Sequence, residues 1–310
     1  MLHTSALPDS LVADRGATTR TEIARIRTAL LAARNPDGGW AYARGKASRL
    51  EPTSWALLAL AREAGREPDV SVLRKWHMED GWLSDVSGVA PNHAFNALAA
   101  LTLLENGSTT AQAYALATSL VASKGVRGDQ VSELRQDNSL QGWSWIDDTF
   151  SWVEPTAWSL LVLKKLRSRG TDLPGMNERI DEGERMLLDR ACGIGGWNYG
   201  NSNVYGQELW PYVPTTALGL LAMQDRRDHP IMTKSLQQLQ RDVRAERSTL
   251  AIALAIICLR VYGIVPDPLV DDLLENSRTP GREAGSADDI LGLAMALHAL
   301  VGGASTSFTW

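Results

Sequence analysis

Apolar positions along this chain follow two patterns in turn. Over residues 18–34, Ile23, Ile26, Leu30 and Leu31 return at helical spacing between charged residues, which predicts an amphipathic helix stopped by Asn35-Pro36-Asp37-Gly38-Gly39. Residues 51–63 are apolar almost without a break and predict a helix buried on most sides. The contrast persists. Segments 70–79, 110–123, 177–189, 230–244 and 268–276 carry charge on one face, whereas 92–105, 154–167, 213–224, 248–262 and 287–301 are smooth Ala/Leu-rich stretches. An amphipathic helix belongs outside and an apolar one inside, so the alternation predicts an all-α fold, a closed (α/α)6 toroid of six outer and six inner helices. A closed ring needs no capping repeats. Residues 1–17 are expected to be a loose lead-in, 18–302 a single toroid domain and 303–310 a tail tucked back by Phe308 and Trp310. No strand is predicted, and the long charged stretch 125–141 is expected to be an exposed insertion.

The starts of the inner helices repeat a written phrase. Gly142-Trp143 leads to Glu154-Pro155-Thr156-Ala157-Trp158, and Gly38-Gly39-Trp40 leads to Glu51-Pro52-Thr53-Ser54-Trp55, so the two copies share one Trp-to-Glu spacing. Gly195-Gly196-Trp197 reaches Val213-Pro214-Thr215 after a longer loop, and Gly81-Trp82 reaches Asn92-His93-Ala94 in a degenerate copy. Self-similarity at a period of tens of residues marks a repeat architecture. Pro suits the first helical turn, where its missing N–H would have had no partner.

Composition narrows the partners. A net charge of -5 without a basic stripe argues against nucleic acid. Cys192 and Cys258 lie far apart with no CxxC spacing, which fits buried thiols in a reducing compartment and a cytoplasmic location. No secretion signal is visible near the start, and no apolar run reaches the roughly 20 residues of a membrane span. Peripheral membrane contact stays open. Tryptophan outnumbers phenylalanine 11 to 3, with several indoles in the repeat loops, where a ring can pack and its N–H can meet a carbonyl.

In such a toroid the inner helices run one way, and their N-termini gather at one mouth. Glu51, Glu154, Glu246 and the pair Asp288-Asp289 stand there, with His93 at the matching place of the second unit. Two roles compete for these acids. As helix caps they would meet free N–H groups and hold a lowered pKa. A general acid needs the opposite, a pKa raised by burial or by a like charge.

The unit Gly-Trp, aromatic loop, Glu-Pro-Thr-Ala-Trp resembles the repeats of squalene-hopene cyclases and of the β-domain of class II terpene cyclases, and more distantly those of protein prenyltransferase β-subunits. The resemblance implies a linear isoprenoid substrate, cyclised after protonation of an alkene or epoxide by the middle acid of a DxDD-Thr-Ala element. Laid on by its Thr-Ala, that element falls on Trp152-Val153-Glu154-Pro155-Thr156-Ala157. Glu154 takes the donor's place, while the first acid has become Trp152 and the last Pro155. Asp288 and Asp289 form a second near match, and Glu51 is the equivalent acid of the first repeat. Carbocations need aromatic faces around them, and Trp55, Phe95, Trp152 and Trp158 are the candidates, with His93, Asp147 and Asp148 as polar groups at the mouth. No cofactor is implied, and Mg2+ enters only with a diphosphate substrate.

Other motifs weigh less. Asp271-Asp272-Leu273-Leu274-Glu275 fits a diphosphate-binding DDxxE pattern but lies on an amphipathic helix, where a solvated face explains it. The inner-helix starts lack the Asp, Cys and His of a zinc prenyltransferase. Two rival functions remain: a non-catalytic toroid that binds an isoprenoid, lipid or peptide, and an enzyme that cuts a polymer in an aromatic-rimmed groove near residues 199–212.

Overall fold

The repeated phrase folds into a repeated set of hydrogen bonds. In three units the indole of the loop Trp is buried, and its N–H donates to an outer-helix carbonyl: Trp40 to Leu30, Trp143 to Leu120 and Trp197 to Leu187, each at 2.7 Å. The backbone N–H of the same Trp donates to a threonine hydroxyl in the first turn of the inner helix, from Trp40 to Thr53 and from Trp143 to Thr156 at 2.9 Å, and from Trp197 to Thr216 at 3.0 Å. Each loop is thus clamped between its two helices.

The computed structural model describes residues 9–61, 69–107, 110–278, 289–302 and 307–310. Asp288 lies outside them. The inner helices are α2 (Leu50–Leu60), α4 (His93–Glu105), α6 (Val153–Ser168), α8 (Val213–Ala222), α10 (Thr249–Val261) and α12 (Ile290–Val301). Around them stand α1 (Asp9–Ala32), α3 (Ser71–Arg74), α5 (Thr110–Ala122), α7 (Met176–Asp189), α9 (Pro230–Asp242) and α11 (Asp267–Arg278). Each inner helix packs on the next, and α12 packs on α2, which closes the ring. The fold is the all-α (α/α)6 toroid that the alternation predicts.

The closure has its own bond. The first N–H of an inner helix reaches into the mouth loop of the following unit: Leu50 to the Asp85 carboxylate at 2.6 Å, His93 to Trp145 O at 2.8 Å and Val153 to Tyr199 O at 2.9 Å. Ile290 N donates in the same way to Tyr42 O at 3.1 Å, joining the last unit to the first.

Three features differ from the sequence-based expectation. Helix α1 begins at Asp9, earlier than residue 18. The second outer helix shrinks to Ser71–Arg74, because Trp76–Leu83 is used instead for a tight turn in which Met78 N donates to Trp82 O at 2.8 Å. A two-stranded hairpin also forms, β1 (Asn203–Val204) against β2 (Gln207–Glu208), turning at Tyr205 and Gly206 with positive φ.

The end of the ring opposite the mouth is stoppered. Phe308 is fully buried against Trp55, Trp158 and His298, with ring centroids 5.4–5.9 Å away. Lys165 Nζ donates to Ser307 O at 2.6 Å and Thr309 O at 2.9 Å, and Gln224 Nε2 donates to Phe308 O at 2.8 Å. The tail is tucked in by Phe308, as its composition suggests. Among the described residues no helix is long and apolar enough to cross a membrane.

Candidate active site at the mouth of the ring

Counting from the helix caps fixes which residues are equivalent. Glu51 lies two residues past cap Arg49 and Glu154 two past cap Trp152, and neither cap residue bonds the free N–H groups with its own side chain. The third copy is capped by Tyr212, so its equivalent residue is Pro214 and its clamp is Thr216; a Pro-Thr match in sequence misaligns it by one. In the second unit the cap is Asn92 and Asn96 replaces the threonine, exchanging bonds of 2.8 and 3.0 Å with Leu83. The position of the glutamates there is Ala94, so His93 stands one residue too early to be their counterpart. Asp289 is itself the cap of α12, its Oδ1 accepting from Gly292 N at 2.9 Å. Glu246 lies two residues before Ser248, the cap of α10, with its Oε1 accepting from Ser248 N at 2.9 Å, so it too is off the station of the glutamates. The ring of acids read from sequence thus contracts, among the described residues, to the pair Glu51 and Glu154.

The electrostatics of this pair run against capping. Glu154 is half-buried, and its pKa is pushed up to about 7, first by burial and then by the charge of Glu51, while the Trp158 side chain works weakly the other way. Burial also raises Glu51, whose Oε2 accepts from the Tyr42 hydroxyl at 2.7 Å, a bond that favours the ionised form. Two like groups that feel each other's charge and have unequal support divide their roles: the one with the stronger donor ionises first, and the other keeps its proton. Tyr42 was not singled out by sequence. Its signal was its place two residues beyond the loop Trp, an aromatic position shared with Trp145 and Tyr199.

One turn deeper, Trp55 and Trp158 meet edge to face across the ring at 5.8 Å, and His298 meets Trp55 edge to face at 5.8 Å. Both indoles are buried, at 1% and 4% exposure, and form a floor under the carboxyls. The remaining candidates lie elsewhere. Phe95 packs edge-on against Trp145 at 6.3 Å, and Trp152 faces outward to line a cavity under residues 126–140. His93 is buried and stacked on Trp82 at 4.7 Å, with its pKa lowered by burial although Asp147 stands 3.4 Å away. Asp147 is 69% exposed, and Asp148 takes a left-handed turn conformation with φ 58. Among the described residues no group of three or more His, Cys, Asp or Glu is placed to hold a metal ion.

Solved structures share this ring. The type II terpene cyclase MstE from Scytonema aligns at 17% identity over 92% of this chain and 98% of its own, with a TM-score of 0.58. An inactive α-1,6-mannanase variant, GH76A of Salegentibacter sp. HEL1_6, aligns at 11% identity over 92% and 99%, with a TM-score of 0.62. The ent-copalyl diphosphate synthase of Streptomyces platensis aligns at 18% over 81% of this chain and 50% of its own, with a TM-score of 0.53. The likeness is one of fold. No family model and no curated protein matches the sequence.

Proposed function

We propose that the chain is an isoprenoid-handling protein of the terpene-cyclase type, in which Glu154 protonates a linear substrate at the mouth of the ring. The observation that carries this reading is the Glu154 carboxyl, held protonated up to about pH 7 by burial and by Glu51, one helical turn above Trp158. Protonating an alkene requires an undissociated acid in a place of low polarity, and a cation formed beside an indole is steadied by its electron-rich face. Glu51, bonded to Tyr42, supplies the charge that keeps the proton on Glu154. Trp55 and Trp158 supply the aromatic floor. A structure of MstE in complex with geranylgeranyl dihydroxybenzoate as substrate, on the same fold, supports an isoprenoid ligand here. Asp289, a cap, has no acid role in this reading, and a diphosphate with Mg2+ is not required by it.

The test is incubation of the purified protein with linear isoprenoids and their diphosphates, with products read by mass spectrometry. Glu154→Gln should lower turnover by roughly 100-fold or more, the usual contribution of a positioned acid. Full turnover in a folded Glu154→Gln protein would remove Glu154 from the mechanism.

A second reading rests on a separate observation. Tyr199, Tyr205, Trp210 and Tyr212 are 50–76% exposed on the mouth loops, a rim suited to stacking on sugar rings. The mannanase neighbour was inactivated at two adjacent aspartates, and Asp147-Asp148 is an adjacent pair at this mouth. Release of reducing ends from a polysaccharide, abolished by Asp147→Asn with Asp148→Asn and unaffected by Glu154→Gln, would favour this alternative.

A further inference from the structure

Residues 125–141 interrupt the repeat between α5 and α6 and fold back over the side of the mouth. Gly125 N donates to Gly142 O at 3.1 Å, Val126 N to Thr149 O at 2.9 Å and Tyr205 N to Glu133 O at 2.7 Å, while Arg135 pairs with Glu208 at 2.8 Å. Under this flap lies a cavity of about 400 Å³ walled by Val126, Val131, Leu134, Leu140, Phe150 and Trp152. Its size and apolar wall with a few polar groups are those of a small-molecule site, typically roughly 300–1,000 Å³. Trp152 caps the helix that bears Glu154, so the cavity borders the mouth.

The charges around it select against anions. Its charged lining residues are Asp129 and Arg190. Arg190 is buried and committed: its guanidinium pairs with Asp189 and donates to Asp137 O at 3.2 Å. Gln136, also in the wall, has a buried Oε1 with no protein donor. Which atom is the oxygen follows from a chain of bonds, since Asn138 Nδ2 donates to Asp129 O and leaves Asn138 Oδ1 to accept from Gln136 Nε2, both at 2.8 Å. An unmatched carbonyl oxygen suits a hydroxyl donor and repels an anion. Glu51, Asp147 and Asp148 add negative charge at the adjoining mouth, and Arg49 is taken by Asp85 at 2.7 Å.

We infer that this side cavity binds an uncharged apolar molecule carrying a hydroxyl, of the class of short isoprenoid alcohols, and rejects the corresponding diphosphate. The isoprenoid class of the ligand rests on the proposed function, and the apolar body with a hydroxyl rests on the cavity wall; the measurement is of binding, so the two can fail separately.

Titration calorimetry with farnesol and with farnesyl diphosphate, each with and without Mg2+, reads the preference directly. Farnesol should bind at least about tenfold more tightly than the diphosphate in either buffer, about 1.4 kcal/mol. Leu140→Trp should fill the cavity and weaken farnesol at least about tenfold. Val131→Trp makes the same test from the exposed rim, where folding is little affected. Tighter binding of the diphosphate, no binding of farnesol, or unchanged affinity in both tryptophan variants overturns the proposal. Wild-type protein that binds farnesol as stated yet forms no product from any of the linear isoprenoids or their diphosphates overturns the cyclase reading alone.

Discussion

Glu51 and Glu154 occupy the same station on two inner helices, and the negative charge of the first raises the proton affinity of the second. Neither caps its helix, although both stand where capping acids are common. Removing the charge at one should therefore be felt at the other. In Glu51→Gln the pKa of Glu154 should fall from about 7 but stay above 4.5, because burial is the larger cause. Carboxyl chemical shifts followed by NMR across the titration measure this; an unmoved Glu154 would mean that the two groups are not coupled.

The raised pKa of Glu154 has a consequence for stability. The folded chain holds this proton more tightly than the unfolded chain, so the stabilisation is complete below the unfolded value of 4.5 and is lost as pH rises through about 7. A carboxyl moved this far corresponds to at most about 3 kcal/mol, less after allowance for its water contact. Glu154→Gln should match the wild type near the low end and exceed it above neutral pH, which denaturant melts across pH will show. If Glu154 is the acid, kcat/KM should fall as pH rises above about 7.

Phe308 makes a different kind of contribution. It is fully buried among Trp55, Trp158 and His298, so Phe308→Ala should cost about 3–5 kcal/mol through lost burial and the void left behind. Thermal and urea melts measure it. A loss below about 1 kcal/mol would mean that Ser307–Trp310 only rests against the ring.

Lys164 is buried at 1% exposure and pairs with Glu184 and Asp225, each at 2.6 Å, and donates to Ala222 O at 2.9 Å. Truncation removes the buried cation between these acids, but Glu184 keeps Arg226 at 2.7 Å and Asp225 keeps Arg167 at 3.7 Å, so Lys164→Ala should destabilise by about 1–3 kcal/mol. Lys164→Met, which keeps the stem, should still lose most of it if charge rather than packing matters.

The ring was legible in sequence because outer and inner helices differ in how many faces meet water, and that difference is written as apolar periodicity. The Trp clamps were legible because the same bond needs the same residues in each unit. The station of each acid was less so. Pro-Thr is matched by eye, yet the clamp in the third unit is Thr216 rather than Thr215, and in the second unit Asn96 does a threonine's work with a different side chain. His93 was misplaced by one residue and Asp289 by two, and each residue of offset turns a side chain by about 100° on a helix of 3.6 residues per turn. The partnership of Tyr42 with Glu51, the Phe308 stopper and the cavity under the flap depend on contacts between distant segments, which local pattern does not encode.

The bond from Ile290 to Tyr42 makes the units a circle rather than a row. A row of repeats can peel away one unit at a time from either extremity, whereas a circle offers no unit with only one neighbour. Damage to a single clamp should therefore lower the melting point of the whole ring in one sharp transition, instead of loosening the damaged sector and sparing the rest.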